Sequence, residues 1–319
     1  MPDLVSVDFF SEALALRKDS RKQSVATDLT VPQVLTVQNS TELRAAATVV
    51  AALASVDISG NADGCERPWM ASPDSLSRFG MAHSTRTDKF TKHRFQHMYH
   101  VVLSQMYREK CRGRTAEERT LRMLEIGLGC RMHHGPGGGV ALMRALITPP
   151  VTLEMHVLEF DRECALQWAK GFPKQAVIHT GDQSSATDLR RVVDEAKRPF
   201  ELIVDDGSHL NAHQIFSAKT LFPALALGGV YVVEDIHSAC KKWRANQPYR
   251  VEHVDGTPGC MQTEKGEKTI VAHALEWVKS LAIMKTPEDM PDLVSVEFFS
   301  EALALRKDSR KQSVAPAAL

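Results

Sequence analysis

The sequence has no uninterrupted apolar run of about 18 residues and no excess of either charge: Lys+Arg and Asp+Glu both number 39. The missing run excludes a membrane-spanning helix, and the balanced charge gives no field that would attract nucleic acid or an anionic membrane. The amino terminus also lacks a basic start followed by a long apolar segment, so we expect no signal peptide. These absences predict a soluble protein with neither a nucleic-acid nor a membrane partner.

The cysteines are few and scattered, and none forms a C-x-x-C pair. This spacing argues against a zinc site or a disulfide framework and is typical of a reducing compartment, so we expect a cytoplasmic location. The six are Cys65, Cys111, Cys130, Cys164, Cys240 and Cys260.

The two ends of the chain are nearly identical, because residues 1–26 and 290–315 differ only at Asp8 and Glu297. Two copies so far apart are not a stacked repeat, and a recent duplication or a gene-model artefact explains them. Each copy has a helical pattern of apolar residues. We therefore expect a short helix at each end that packs weakly on the rest.

The composition along the chain predicts three regions. Residues 1–84 form an amino-terminal extension, with a helix in "TELRAAATVVAALASVD" and a linker in "SGNADGCERPWMASPDS". Residues 85–282 form a compact core, and residues 283–319 form a carboxy-terminal extension.

Within the core, strand and helix patterns alternate. Strand candidates such as "TLRMLEIG", "FELIVDD" and "GGVYVVED" are separated by helical segments such as "DRECALQWAKGF". This alternation predicts right-handed βαβ units and a mostly parallel, Rossmann-like α/β sheet covered on both faces. Ligands bind beyond the carboxyl ends of the strands in such sheets.

Acidic residues follow all five predicted strands, so they should gather on one rim of the sheet, where carboxylates need a cation or hydrogen-bond donors between them. The strand-end residues are Glu125, Glu159, Asp161, Asp182, Gln183, Asp205, Asp206, Glu234 and Asp235.

The loop after the first strand favours S-adenosylmethionine over a dinucleotide. Gly127 and Gly129 match the start of G-x-G-x-x-G, but the third glycine is missing. Glu125 would disfavour a pyrophosphate and suits a ligand with a positive end, such as a sulfonium. An acid after the second strand, Glu159 or Asp161, suits a ribose diol. An acid after the third strand suits an adenine amino group. We place Asp182, Gln183 and Asp205 in this cofactor site as well.

Residues 87–243 resemble class I S-adenosylmethionine-dependent methyltransferases. The matching segments are "TDKFTKHRFQHMYHVVL", "LEIGLGC", "GDQ", "IVDDGSH" and "GGVYVVEDIH". They resemble most the branch of metal-dependent, mycinamicin-type macrolide-sugar O-methyltransferases and cephalosporin-hydroxylase-like proteins.

The resemblance implies a metal-assisted O-methyltransferase of secondary metabolism that acts on a hydroxyl of a sugar or small natural product. It assigns Asp206, Glu234 and Asp235 as Mg²⁺ ligands and His209 as the catalytic base. Three carboxylates without a thiol suit a hard ion such as Mg²⁺, and a histidine can take a proton near neutral pH.

Several alternatives stay open. Asp205 or Asp206 could cap the next helix, and His133, His134 and His237 could be ordinary polar residues. Lys89 and His93 could line the acceptor side or begin a solvated helix.

The fold of this family ends in a β-hairpin, which we expect to be missing here, because the chain ends in the second, helix-like copy. A missing hairpin favours an inactive binding protein. A hydroxylase-like relative would instead use His209, His237 and Asp206 for iron.

Overall fold

The structure, a computed structural model, describes residues 64–83, 87–240, 261 and 267–310. All of them belong to the second of two compact units, residues 61–319. Across these described ranges, no helix combines the length and apolarity needed to cross a membrane. The expected helix near residues 41–57 and the amino-terminal copy lie outside the described residues.

Seven strands and seven α-helices make up the described part. The strands are β1 (Thr120–Ile126), β2 (Thr152–Glu159), β3 (Val177–Thr180), β4 (Phe200–Asp205), β5 (Leu225–Val233), β6 (Leu293–Phe299) and β7 (Ala302–Lys307). The helices are α1 (Pro73–His83), α2 (Gln96–Cys111), α3 (Gly138–Leu146), α4 (Arg162–Gly171), α5 (Ala186–Ala196), α6 (Asn211–Leu221) and α7 (Ile270–Ala282). Short 3₁₀ helices cover Pro68–Ala71, Phe222–Ala224 and Ile236–Cys240.

The strands form one sheet in the order β3-β2-β1-β4-β5-β7-β6. Strands β1 to β5 are parallel, and β7 runs antiparallel between β5 and β6. The predicted mostly parallel α/β sheet is therefore confirmed. The order in which strands are added to the sheet reverses between β1 and β4, because β2 and β3 lie on one side of β1 and β4 and β5 on the other. The carboxyl ends of these two central strands therefore border the ligand-binding edge.

Alternate residues of each strand enter two separate hydrophobic layers. In β1, Leu121 and Met123 pack in the layer that contains α1 to α4, whereas Leu124 and Ile126 pack in the layer that contains α5 to α7. Successive side chains of a strand point to opposite faces, so one buried strand serves both layers. The same alternation decides which strand-end carboxylates can meet.

The expected absence of the terminal hairpin is wrong, and so is the expectation that the carboxy-terminal copy packs weakly. Residues 290–310 supply β6 and β7, and β7 fills the edge of β5, with Tyr231 opposite Leu305. Four successive residues of β7, from Ala302 to Leu305, are fully buried. Since a strand buried on both faces shows no alternation of apolar and polar residues, its sequence pattern does not differ from that of a buried helix.

The expected boundary at residue 85 and the expected linker before it are also wrong. The segment from Cys65 onwards packs against α2: Trp69 is 1% exposed and donates through Nε1 to the Leu146 carbonyl at 3.2 Å. A disulfide joins Cys65 to Cys111 at the end of α2, and another joins Cys130 to Cys164. The cysteine spacing therefore did not exclude disulfides, because sequence distance says nothing about which thiols the fold brings together.

We expect Leu305→Ala to lower the free energy of unfolding by about 2–5 kcal/mol, the usual cost of removing a fully buried leucine side chain. Urea titration of the full chain measures this loss. Val294→Ala on the same hairpin is the control, because Val294 is 42% exposed, and its effect should stay within about 1 kcal/mol. Equally small losses for both variants would contradict the integration of the hairpin into the core.

Candidate active site at the carboxyl edge of the sheet

The glycine-rich loop after β1 packs directly on the residue that follows β4. Gly127 has φ +97°, and a Cβ at this position would overlap the backbone oxygen of Asp206. Gly127 N donates to the Leu158 carbonyl of β2 at 2.8 Å, and Asp206 N donates to the Ile126 carbonyl at 3.0 Å. Only glycine fits here, because both the backbone conformation and the close approach exclude a side chain. Gly129, with φ +78°, continues the loop.

Glu159 holds the loop in place through its carboxylate. Its two oxygens accept from Leu128 N and Asp161 N, each at 2.8 Å. Asp161 caps α4 by accepting from Cys164 N at 3.1 Å and remains half-buried at the rim. Glu159 is thus buried and engaged by backbone donors, whereas Asp161 is the more exposed acid of this pair.

Asp205 does not face the rim, which is a correction to its place in the expected cofactor set. It is fully buried and accepts from Ser217 Oγ at 2.5 Å and Tyr231 Oη at 3.0 Å. Gln183 donates to its other oxygen at 3.1 Å and accepts from Ser208 N at 2.7 Å. Asp205 therefore fastens β4 to α6 and β5.

Asp182 forms a turn, because its Oδ1 accepts from Ser184 N and Ser184 Oγ at 2.8 and 2.7 Å. It lies beside Gln183 at the end of β3.

His133 and His134, in the glycine-rich loop, are exposed and contact each other.

The central feature of the site is the Lys89 ammonium among three carboxyl groups. Lys89 Nζ lies 2.7 Å from Asp206 Oδ2 and 3.6 Å from Glu125 Oε1, and it also donates to Glu234 Oε2. Tyr99, in the first turn of α2, donates to Glu234 Oε1 at 2.7 Å. Lys89 is 3% exposed and Glu234 is fully buried. The alternative of a solvated helix start at Lys89 is therefore wrong.

These contacts determine how the cluster shares charge. Burial raises the pKa of Glu125 to about 7, against the opposing effect of Lys89. Burial likewise keeps the pKa of Glu234 well above its ordinary value. Burial also acts to raise the pKa of Asp206, but Lys89 and His209 outweigh it and the pKa is lowered. Asp206 thus carries the negative charge opposite Lys89, and Glu125 and Glu234 are the carboxyls that more readily hold a proton.

A second group of polar side chains lies just beyond this cluster. His209 Nε2 is 3.5 Å from Asp235 Oδ2 and 3.9 Å from Asp206 Oδ1. Both His209 and Asp235 adopt left-handed backbone conformations, with φ +56° and +55°. Such conformations in residues other than glycine cost about 1–3 kcal/mol and persist where the surrounding structure holds them, often at functional sites.

The donor set suits Mg²⁺ in part. Asp206, His209 and Asp235 present atoms within 4.8 Å of one another, whereas both oxygens of Glu234 are engaged by Lys89 and Tyr99. Mg²⁺ is commonly bound through one or two carboxylates plus water and substrate oxygens, so Asp206 and Asp235 fit it. Glu234 would join them as a ligand only if Lys89 gave up its contact.

Comparison with known proteins finds relatives among sugar O-methyltransferases. The chain is 37% identical over 125 residues to 8-demethyl-8-(2-methoxy-alpha-L-rhamnosyl)-tetracenomycin-C 3'-O-methyltransferase of Streptomyces olivaceus, covering 37% of this chain and 28% of that protein. It is 36% identical over 124 residues to mycinamicin VI 2''-O-methyltransferase of Micromonospora griseorubida, again covering 37% and 28%. The match thus spans less than a third of either relative. No protein-family model matches the chain.

The folds agree over a longer stretch. MycE methyltransferase of the mycinamycin biosynthetic pathway, solved in complex with Mg, SAH and mycinamycin VI, superposes with a TM-score of 0.54 at 18% identity, covering 86% of this chain and 62% of that one. The chain has the Rossmann-like fold of class I methyltransferases. The expected fold family is thereby confirmed, and the edge described above is the one where such folds bind ligands.

Within this methyltransferase fold, the Cys130–Cys164 disulfide joins the glycine-rich loop to α4, the helix that Asp161 caps. It therefore connects two segments of the expected cofactor site. The Cys65–Cys111 disulfide lies at the other end of α2 from Tyr99, roughly 18 Å along the helix axis.

Sequence reasoning gave no role to Tyr99 and Glu301 and left Lys89 and His93 between the acceptor side and a solvated helix start. Lys89, His93 and Tyr99 precede the sheet, and the only signal was that they fall in the matched segment "TDKFTKHRFQHMYHVVL". Glu301 is in the turn between β6 and β7, and its contact with His93 could not be expected from a copy that was interpreted as a loose helix.

We expect Lys89→Met to lower the free energy of unfolding by about 3–5 kcal/mol at pH 8, because it leaves buried carboxylates without their cation. A carboxyl whose pKa is higher in the folded than in the unfolded state lowers the free energy of unfolding as pH rises above its unfolded-state pKa. The stability lost in Lys89→Met should therefore shrink towards pH 5, where these carboxyls are protonated. Lys92→Met is the matched control, since Lys92 is 65% exposed and 3.8 Å from Asp88; it should change stability by less than about 1 kcal/mol. A pH-independent loss would contradict the assigned charges.

We expect Cys130→Ser, or selective reduction of this bond, to weaken binding of S-adenosylhomocysteine at least about tenfold, because the loop loses its covalent attachment to α4. Calorimetric titration of the full chain measures the affinity. Cys111→Ser removes the other disulfide and, after correction for lost stability, should leave the affinity unchanged. The same loss of affinity in both variants would refute a specific role for Cys130–Cys164.

Proposed function

We propose that the protein is an S-adenosylmethionine-dependent, metal-assisted O-methyltransferase that methylates a hydroxyl of a sugar or small natural product. The observation that carries the proposal is the placement of His209 beside the Asp206 and Asp235 carboxylates, at the edge that also holds the glycine-rich loop. The sugar O-methyltransferases among the relatives support the substrate class.

The cofactor would bind along the ends of β1, β2 and β3. Gly127 lets the loop pack on the backbone of Asp206, Gly129 continues the loop, and the Glu125 carboxyl lies against Gly139 at the start of α3. Asp161 and Asp182 offer carboxylate oxygens along the rim. Glu159 and Gln183 contribute by fixing the loops that line the site. We propose this cofactor site for each expected cofactor residue except Asp205, whose carboxylate is internal.

Asp206 and Asp235 would hold Mg²⁺, and Glu234, the third ligand that the resemblance implies, would join them on release of its Lys89 contact. When bound, the ion would lower the pKa of an acceptor hydroxyl and hold that hydroxyl in a fixed orientation. His209 would take the hydroxyl proton on Nε2, the nitrogen that faces both carboxylates. Transfer of the methyl group from a sulfonium then requires mainly alignment of the two reactants, which the neighbouring strand ends provide.

The structure removes the argument for an inactive binding protein, because the hairpin whose absence favoured it is present. The hydroxylase-like alternative needed His209, His237 and Asp206 together. His209 and Asp206 share one group with Asp235, whereas His237 belongs to another. Neither alternative is therefore favoured.

We infer that the partner is a small-molecule acceptor and not nucleic acid or a membrane, on the charge balance of the sequence. The cytoplasmic location remains a prediction. It has lost its cysteine argument, because four of the six cysteines form disulfides.

Methyl transfer from S-adenosylmethionine to rhamnosylated or macrolide-linked sugars tests the proposal, with product detected by mass spectrometry. We expect turnover with Mg²⁺ and none in EDTA. His209→Gln should lower kcat by about 10²–10⁴-fold, and Asp206→Asn should abolish the metal-dependent turnover and leave cofactor binding nearly intact. His134→Gln, an exposed loop histidine, is the control and should keep full activity. Undiminished turnover of His209→Gln, or of the wild type in EDTA, would refute the mechanism.

A further inference from the structure

Four side chains from three separate segments meet beside Asp206, His209 and Asp235, which we call the His209 group. His93 precedes α2, Asp235 and His237 follow β5, and Glu301 lies in the turn between β6 and β7. His93 Nδ1 is 2.7 Å from Glu301 Oε2 and 3.3 Å from Asp235 Oδ1. His237 Nδ1 is 3.5 Å from the same Asp235 oxygen. We call these four residues the His93 cluster.

The His93 cluster is held by buried structure. The side chains of His93, Asp235 and His237 are 9%, 14% and 15% exposed. Glu301, with φ +64°, accepts through its carbonyl from Ile236 N at 3.0 Å, which fixes the hairpin turn against the segment after β5. Asp235 has φ +55°, so two of the four positions adopt left-handed conformations, which persist where the surrounding structure holds them.

Asp235 connects the His93 cluster to the His209 group. Its Oδ1 faces His93 and His237, and its Oδ2 faces His209. Oδ1 is buried and accepts no hydrogen bond from any described residue. A buried carboxylate oxygen without a donor is costly unless a cation satisfies it.

We propose that the His93 cluster binds a divalent first-row transition ion, Zn²⁺ foremost, at a position separate from the Mg²⁺ site and bridged to it by Asp235. Two imidazoles and two carboxylates are ligands for Zn²⁺, Mn²⁺, Fe²⁺ or Co²⁺, whereas Mg²⁺ prefers oxygen alone. The ligand atoms lie within 4.8 Å of one another. Tetrahedral Zn²⁺ needs separations of about 3.4 Å, so small side-chain rotations suffice.

The surroundings of His93 support a ligand role. Its second ring nitrogen, Nε2, lies 3.7 Å from Asp88 Oδ2, and a carboxylate near the remote nitrogen orients a metal-binding imidazole and makes it more basic. Two cations that share a carboxylate typically lie about 3.5–4 Å apart. Asp235 could bridge such a pair, because its Oδ1 faces the His93 cluster and its Oδ2 faces His209. The competing explanation is that a protonated His93 neutralises Glu301 and Asp235 without any ion.

Equilibrium dialysis of the full chain against Co²⁺, in a large excess of Mg²⁺, distinguishes these explanations. We expect about one bound cobalt ion per chain. Mg²⁺ should not displace this ion, whereas Zn²⁺ should. Glu301→Gln and His93→Gln should each weaken cobalt binding at least about tenfold. His97→Gln is the control, because His97 is an exposed histidine of the adjoining helix, and it should bind cobalt like the wild type. A wild type that retains no cobalt, or cobalt binding that both cluster variants leave unchanged, would overturn the proposal.

A second measurement uses a variant outside the cluster and so does not depend on how the cluster variants fold. Pulsed electron paramagnetic resonance of His134→Gln, which lacks the exposed His133–His134 pair, loaded with one equivalent of Cu²⁺ counts coordinated imidazoles. Two imidazoles support the His93 cluster, whereas one or none would overturn it, because the His209 group contains a single histidine. Neither readout requires methyl transfer. The metal-site proposal can therefore fail while the proposed function stands, and the proposed function can fail while the metal site stands.

Discussion

The arrangement of the site depends on the ion pair between Lys89 and the carboxylate of Asp206. Three strands each bring a carboxyl group to one buried point, and without a cation their desolvation and mutual repulsion would lower the stability of this arrangement. Lys89 supplies that cation from outside the sheet and thereby attaches the segment before α2 to the strand ends. Tyr99 satisfies the remaining oxygen of Glu234, so this carboxyl becomes part of the framework, and Asp206 and Asp235 are left to face the rim.

The carboxy-terminal hairpin links the stability of the sheet to the chemistry of its edge. β7 covers the edge of β5 with fully buried residues, and Lys307 at its end donates to the Pro223 and Leu225 carbonyls at 2.7 and 2.8 Å. The turn that joins β6 to β7 then places Glu301 against His93. A segment whose copy at the other terminus differs at one position in 26 thus supplies both a core strand and a polar group beside the candidate active site.

Adjacent acidic residues at the strand ends point to opposite faces of the sheet, because successive side chains along a strand alternate. Asp205, the last residue of β4, points into the layer of α5 to α7, where Ser217 and Tyr231 donate to it. Asp206 points to the other face, where Lys89 lies. The same division separates Glu234, which faces Lys89, from Asp235, which faces His93 and His209. Each pair therefore supplies one group that builds the framework and one that lines the site.

The sequence by itself determined the order of strands and helices from β1 to α7 and the rim where acids collect, because apolar periodicity and strand-end chemistry are local properties. It also singled out Asp206 and His209, which follow β4, and Asp235, which follows β5. Only the tertiary structure decided that Asp205 is internal, that Lys89, His93 and Glu301 join the site, and that four cysteines pair. It also decided that "ALALRK" is a strand, since its apolar run "ALAL" becomes a strand or a helix according to the neighbours that bury it.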